Sequence, residues 1–155
     1  MTTARIDFGA QAAGFYRAMI DLDQAATREL DKADIDVRLR ELVRIRASQL
    51  NGCAYCVDMH TKDARAAGET EQRIYALPVW QETPFYTDRE RAALALTESV
   101  TLMAQTHVPD ADFAAAAEQF KEAELAALIS LITVINAWNA LSVSTRALTP
   151  GSYQP

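Results

Sequence analysis

Apolar residues recur at three- and four-residue intervals along most of this chain, the spacing that lines one face of a helix. Phe15, Met19, Leu22 and Ala26 mark such a face within residues 8–29, although Gly14 weakens its start. The polar run Asp31-Lys32-Ala33-Asp34 interrupts it, and Asp34 or Asp36 can cap a second helix through Leu39, Leu42, Val43, Ile45 and Leu50. Asn51-Gly52, which takes turn or left-handed conformations readily, ends that helix. A third begins near Cys53 and runs to about Ala67, where Gly68 stops it. Residues 71–77 predict a short helix halted by Pro78, followed by an aromatic connector over 79–86. Thr87 and Glu90 form a capping box for a helix through Leu94, Leu96, Val100 and Met103. His107-Val108-Pro109-Asp110 breaks the pattern, and Asp110 can cap a helix over 113–120. The last long helix covers about 123–145. Residues 1–7 read as a loose lead-in and 149–155 as a polar tail. With no alternating strand pattern, the expectation is an all-α domain of six to eight helices spanning residues 1–155.

Composition narrows the function classes. A net charge of −6 leaves no basic footprint for nucleic acid. Residues 1–20 lack the basic start and unbroken apolar core of a signal peptide, and two closely spaced cysteines are not a secreted disulfide framework. A cytoplasmic, reducing location is expected. Residues 125–143 approach membrane-spanning length but carry Ser130, Thr133, Asn136, Asn139 and Ser142, with Glu122 and Glu124 just before them. A buried helix, or one at a subunit contact, is the expectation rather than a membrane span.

The chemistry concentrates in one stretch. Cys53, Cys56 and His60, both cysteines and one of the two histidines, fall within eight positions. On a helix, about 100° per residue brings them into a common arc of roughly 60°. At a helix start, unpaired N–H groups and the helix dipole stabilise a thiolate. Thiol redox chemistry with a built-in base fits this pattern. Zinc competes poorly, because a structural site wants four ligands and the other histidine, His107, lies in a distant loop. A thioredoxin-type arrangement would need a strand before the Cys-x-x-Cys pair. An inert buried pair is the bland alternative. Glu41, beside the apolar stripe of its helix, reads from spacing alone as a carboxylate paired with Arg38, Arg44 or Arg46.

Glu41 through His60 reads Glu-x11-Cys-x2-Cys-x3-His. Together with the run from Glu41 to Cys56, the segments His60-Thr61-Lys62-Asp63-Ala64-Arg65, Glu90-Arg91-Ala92-Ala93-Leu94 and Ile135-Asn136-Ala137-Trp138-Asn139 resemble the alkylhydroperoxidase D (AhpD-like) family. That family belongs to the carboxymuconolactone decarboxylase superfamily. The resemblance spans about residues 40–140. It implies an AhpD-like helical fold with the Cys-x-x-Cys at the start of a central helix, a homo-oligomer (trimer or hexamer), and thiol-dependent reduction of hydroperoxides without cofactor or metal. By resemblance, Cys56 is the peroxidatic cysteine, and Cys53 is the resolving one, exposed enough to meet an external dithiol reductant of protein or lipoyl type. His60 and Glu41 are a proton relay. Tyr55 stands where relatives carry a histidine of that relay, so its hydroxyl is a possible auxiliary. Carboxymuconolactone decarboxylation and a non-catalytic redox-responsive interaction are the competing classes.

Overall fold

The computed structural model describes residues 3–155, so the first two positions of the expected lead-in lie outside the described residues. Among the described residues there are nine α-helices and no strand. They are α1 (Phe8–Gln11), α2 (Ala13–Lys32), α3 (Val37–Leu50), α4 (Ala54–Ala66), α5 (Glu71–Ala76), α6 (Asp88–Thr101), α7 (Met103–Thr106), α8 (Asp110–Ala117) and α9 (Glu122–Thr145). Two of them, α1 and α7, are single turns of four residues. The all-α expectation holds.

The local differences have local causes. The first helix is split because Ala12 leaves helical geometry (φ −130°, ψ 48°), while Asp7 caps the preceding turn by accepting the Ala10 N–H. The aromatic connector is partly a 3-10 helix over Leu77–Glu82, with Pro78 in its first turn, where a missing N–H costs nothing. Helix α6 stops at Thr101 rather than carrying on through Met103. Asp110 does not cap α8 but is its first residue, and the Ser99 hydroxyl donates to Asp112 at 2.6 Å.

Helix α3 is the hub. Its Leu39 and Val43 enter one hydrophobic cluster with Leu30, Leu96, Phe120, Leu128, Leu131 and Ile132. Its Leu42 and Ile45, on an adjoining face, enter a second cluster with Leu94, Leu77, Trp80 and Tyr86. Burial on two sides explains why Leu42, Val43 and Ile45 are each 0% exposed. Helix α9 is long and apolar enough to cross a membrane by length and composition, yet Leu125, Leu128, Leu131 and Ile132 are spent in the core.

A polar seam fastens the end of α3 to α9. The Asn51 amide donates to Asn136 Oδ1 (2.7 Å) and Asn139 Oδ1 (3.0 Å). The Asn139 amide donates to the Ser48 hydroxyl at 3.0 Å, and Ser48 donates to the Arg44 carbonyl at 2.7 Å. Asn139 is 1% exposed, so these bonds replace the water it gave up. The seam fixes the turn at Asn51-Gly52, from which α4 departs. Gly52 takes φ +66°, a conformation a side chain would strain.

Candidate active site

Reversal at Gly52 folds Cys53 back against α3, where its N–H donates to the Ser48 carbonyl at 2.9 Å. Cys53 is the N-cap of α4, and the Cys56 N–H donates to its Sγ at 3.3 Å. The two cysteines form a disulfide, with Cα atoms 5.3 Å apart. Both sulfurs are sheltered: Cys53 is 1% exposed and Cys56 4%. The expectation that Cys53 is exposed at the helix mouth therefore does not hold in the folded chain. The same reversal that makes it an N-cap tucks it under the end of α3.

Cys56 instead lines a cavity of about 330 Å³ between α2, α3, α4 and α9. Its apolar wall includes Ile20, Leu131, Val134, Ile135 and Trp138, with the Tyr16 ring set edge-on to Trp138 at 5.5 Å. Arg44, Tyr55, His60 and Asp63 supply the polar side. The Ser142 hydroxyl lies 3.8 Å from Cys56 Sγ. A disulfide sulfur carries no hydrogen, so the hydroxyl is the donor there.

His60 follows Cys56 by one helical turn on α4 and is 8% exposed. Its Nδ1 lies 2.9 Å from Glu41 Oε2, and the other Glu41 oxygen pairs with Arg44. Glu41 is thus both the Arg44 partner that spacing suggested and a partner of His60. Burial pushes its carboxyl up, but the His60 hydrogen bond and the Arg44 charge outweigh that and hold it below the usual range. A carboxylate only accepts, so Nδ1 carries the hydrogen and Nε2 is the nitrogen free to exchange a proton. Tyr55 is half-buried on the cavity wall, and burial, followed by the neighbouring Tyr16 and acidic groups, raises its phenol. It therefore remains a hydrogen-bond donor at neutral pH.

The architecture around these groups matches a known family. The carboxymuconolactone decarboxylase family model matches residues 13–99, more than half the chain. This chain belongs to that family. It is 43% identical over 128 residues to the uncharacterized protein YdfG of Bacillus subtilis (strain 168), covering 83% of this chain and 84% of YdfG. A crystal structure of ATU0492 from Agrobacterium tumefaciens, described as a putative antioxidant defence protein AhpD, superposes with a TM-score of 0.86 at 34% identity, covering 99% of each chain. The debrominase Bmp8, solved with 2,3,4-tribromopyrrole, shares the fold at a TM-score of 0.75 and 18% identity, over 92% of this chain and 74% of its own. Membership in the carboxymuconolactone decarboxylase family thus comes with AhpD-like architecture, and the fold hosts more than one chemistry.

In this family member, Glu41, His60 and Asp63 form a trio whose possible ligand atoms lie within 4.8 Å of one another. Glu41 is already engaged through both oxygens by Arg44 and His60, so the trio suits proton handling better than a cation. Sequence reasoning gave no role to Asp63, Ser142 or Tyr16. Asp63 was detectable as the residue one turn beyond His60. Ser142 and Tyr16 meet the site only through the packing of α9 and α2 and left no local signal.

Proposed function

We propose that this protein is a thiol-dependent peroxidase that reduces hydroperoxides through a Cys53/Cys56 dithiol–disulfide cycle. The observation that carries this reading is the meeting, at one cavity, of a sulfur from a closed Cys53–Cys56 disulfide and an imidazole whose Nδ1 is held by Glu41. In the reduced protein, His60 Nε2 takes the Cys56 proton, directly or with Tyr55 as auxiliary. The Cys56 thiolate attacks the terminal peroxide oxygen; an S–O bond forms, the O–O bond breaks, and His60 returns the proton to the departing alkoxide. The Cys53 thiolate then attacks the Cys56 sulfenic acid; the S–S bond forms and hydroxide leaves as water after taking a proton. An external dithiol restores both thiols and is itself oxidised to a disulfide. The sum is ROOH plus a dithiol giving ROH, water and a disulfide.

The position of the sulfurs bears on the last step. Cys56 faces the cavity while Cys53 is 1% exposed, so the reductant reaches the disulfide at Cys56, by the route the peroxide uses. Cys53 is then the leaving thiolate, and the Cys56 N–H that already points at its sulfur stabilises it.

Peroxide consumption with dihydrolipoamide or another dithiol as reductant tests the reading. Steady turnover supports it. Absence of turnover, with the disulfide merely opening and closing, would favour a redox-responsive interaction protein. Carboxymuconolactone decarboxylation has no use for the disulfide and predicts activity insensitive to thiol alkylation. The proposal includes a homo-oligomer, because the single chain leaves Phe15, Leu22 and Val143 exposed on α2 and α9; the trimer or hexamer is carried over from the family resemblance, and the cytoplasmic location from the sequence. Light scattering at micromolar concentration should exceed the mass of one chain; a monomer would rule this part out.

A further inference from the structure

Beyond α9 the tail turns back along α4. Gly151 donates its N–H to Asp58 Oδ2 at 2.9 Å, and Lys62 Nζ donates to both Asp58 Oδ2 and the Tyr153 carbonyl at 2.9 Å. Asp58 and Lys62, one turn apart, thus clamp the tail at two points. The Tyr153 hydroxyl is delivered to Asp63 and donates to its Oδ1 at 2.7 Å. The other oxygen, Oδ2, lies 3.9 Å from His60 Nδ1. That separation is too long for a hydrogen bond but short enough for charge to matter.

We propose that Asp63 and Tyr153 are positioning residues for His60, with Tyr153 aiming the Asp63 carboxylate at the Nδ1 side of the imidazole. This rests on the reading of His60 as the base. Glu41 and Arg44 from α3 face His60 as a closed ion pair, so their charges largely cancel there. From α4 come Tyr55, Cys56 and Asp63, and from α2, across the cavity, Tyr16 and Asp23; the cavity-lining residues of α9 bring no ionisable group. Asp63 is therefore the uncompensated anion beside Nδ1, and it stabilises the positive charge that His60 holds after taking the Cys56 proton. Tyr153 serves as a fixed donor and not as a proton carrier. Its hydrogen bond to Asp63, together with burial, pushes its phenol up to about 12.

The test uses reduced protein in a Cys53→Ser background, where Cys56 alone reports, and follows iodoacetamide alkylation rate against pH. Asp63→Asn should slow alkylation at pH 7 about twofold to fivefold, the effect of one partly exposed charge, and move the rate midpoint to higher pH. Tyr153→Phe, which keeps the ring and the tail clamp, should shift it the same way by about twofold. Asp63→Glu should recover part of the loss, which a purely structural role would not give. His60→Gln separates the two levels. If it slows alkylation while Asp63→Asn leaves the pH profile unchanged, the positioning role is overturned and the base stands. If only Tyr153→Phe is silent, Tyr153 drops out and Asp63 remains. A His60→Gln profile identical to its parent overturns the base itself, and this proposal with it.

Discussion

The protein contains two sheltered clusters, each built on a glutamate–arginine ion pair, with different partners around them. In the first, Glu41 pairs with Arg44 and His60 beside the cavity. In the second, Arg73 pairs with Glu90 and donates to the Phe85 carbonyl, while its Nε lies 2.9 Å from Glu69 without the alignment of a hydrogen bond. Tyr86 closes that group by donating to the Arg73 carbonyl. Both clusters perturb carboxyls: Glu90, like Glu41, is held below its usual range although burial opposes this. In the second cluster burial pushes the Tyr86 phenol up to about 12. Perturbed acidity is therefore common to both and does not single out chemistry. What separates them is an exchangeable imidazole nitrogen, a sulfur and open volume, which the first has. The second joins α5 to the capping box of α6 and is read as structural.

The sharpest way to break the comparison is to remove a group that only the first cluster has. Cys56→Ser should abolish peroxide reduction outright. Cys53→Ser should consume about one equivalent of peroxide and stall as a sulfenic acid that a dimedone-type reagent labels. A Cys56→Ser protein that keeps its single-turnover burst, with Cys53→Ser inactive, would reverse the assignment. Next in size is the relay. His60→Gln should slow the peroxide step on the order of 10²-fold with the fold kept, as loss of a general base does. Glu41→Gln should cost less, since it acts through His60, and rapid-mix kinetics at saturating reductant would read both.

The second cluster should answer to stability and not to rate. Arg73→Ala leaves Glu69, whose side chain is 3% exposed, without its cation, and should destabilise the fold by about 3 kcal/mol in urea unfolding. Turnover per folded molecule should remain that of the parent. A large drop in kcat with unchanged stability would show that the two clusters are not separate.

These contrasts bear on what was legible in the sequence. Helical periodicity reported α3 and α9 well because both bury long apolar faces. Breaks set by the backbone of a single residue, such as Ala12, left no pattern to detect. In the site, Cys56 and His60 stood out because one helix carries them a turn apart, whereas spacing alone reads Glu41 as an arginine partner and only the family resemblance joins it to His60. The seclusion of Cys53 was not visible, because it arises from the reversal at Gly52, and exposure is a property of packing rather than spacing. Asn139 reads as an oddity in an apolar helix until its partners Asn51 and Ser48, over 85 residues away, come into view. The contact between Tyr153 and Asp63 spans 90 residues and has no local signal at all.

The smallest effect asks what the two clusters share. The Glu41 carboxyl in the folded protein is held below its ordinary value of 4.5, with burial opposing and His60 and Arg44 prevailing. A group whose folded pKa is depressed contributes stability that is fully present above the unfolded value and fades as pH falls through the folded one. The destabilisation caused by Glu41→Gln should therefore be larger at pH 7 than near pH 3. Glu90→Gln should behave alike, since Glu90 is depressed for the same kind of reason, with Arg73 and Thr87 prevailing over burial. Thermal melts of both variants and the parent across that range would measure it. Only Glu41→Gln should also slow the reduction of peroxide at neutral pH. A Glu41→Gln penalty independent of pH would mean that its ion pair adds nothing beyond shape, and the comparison would rest on kinetics alone.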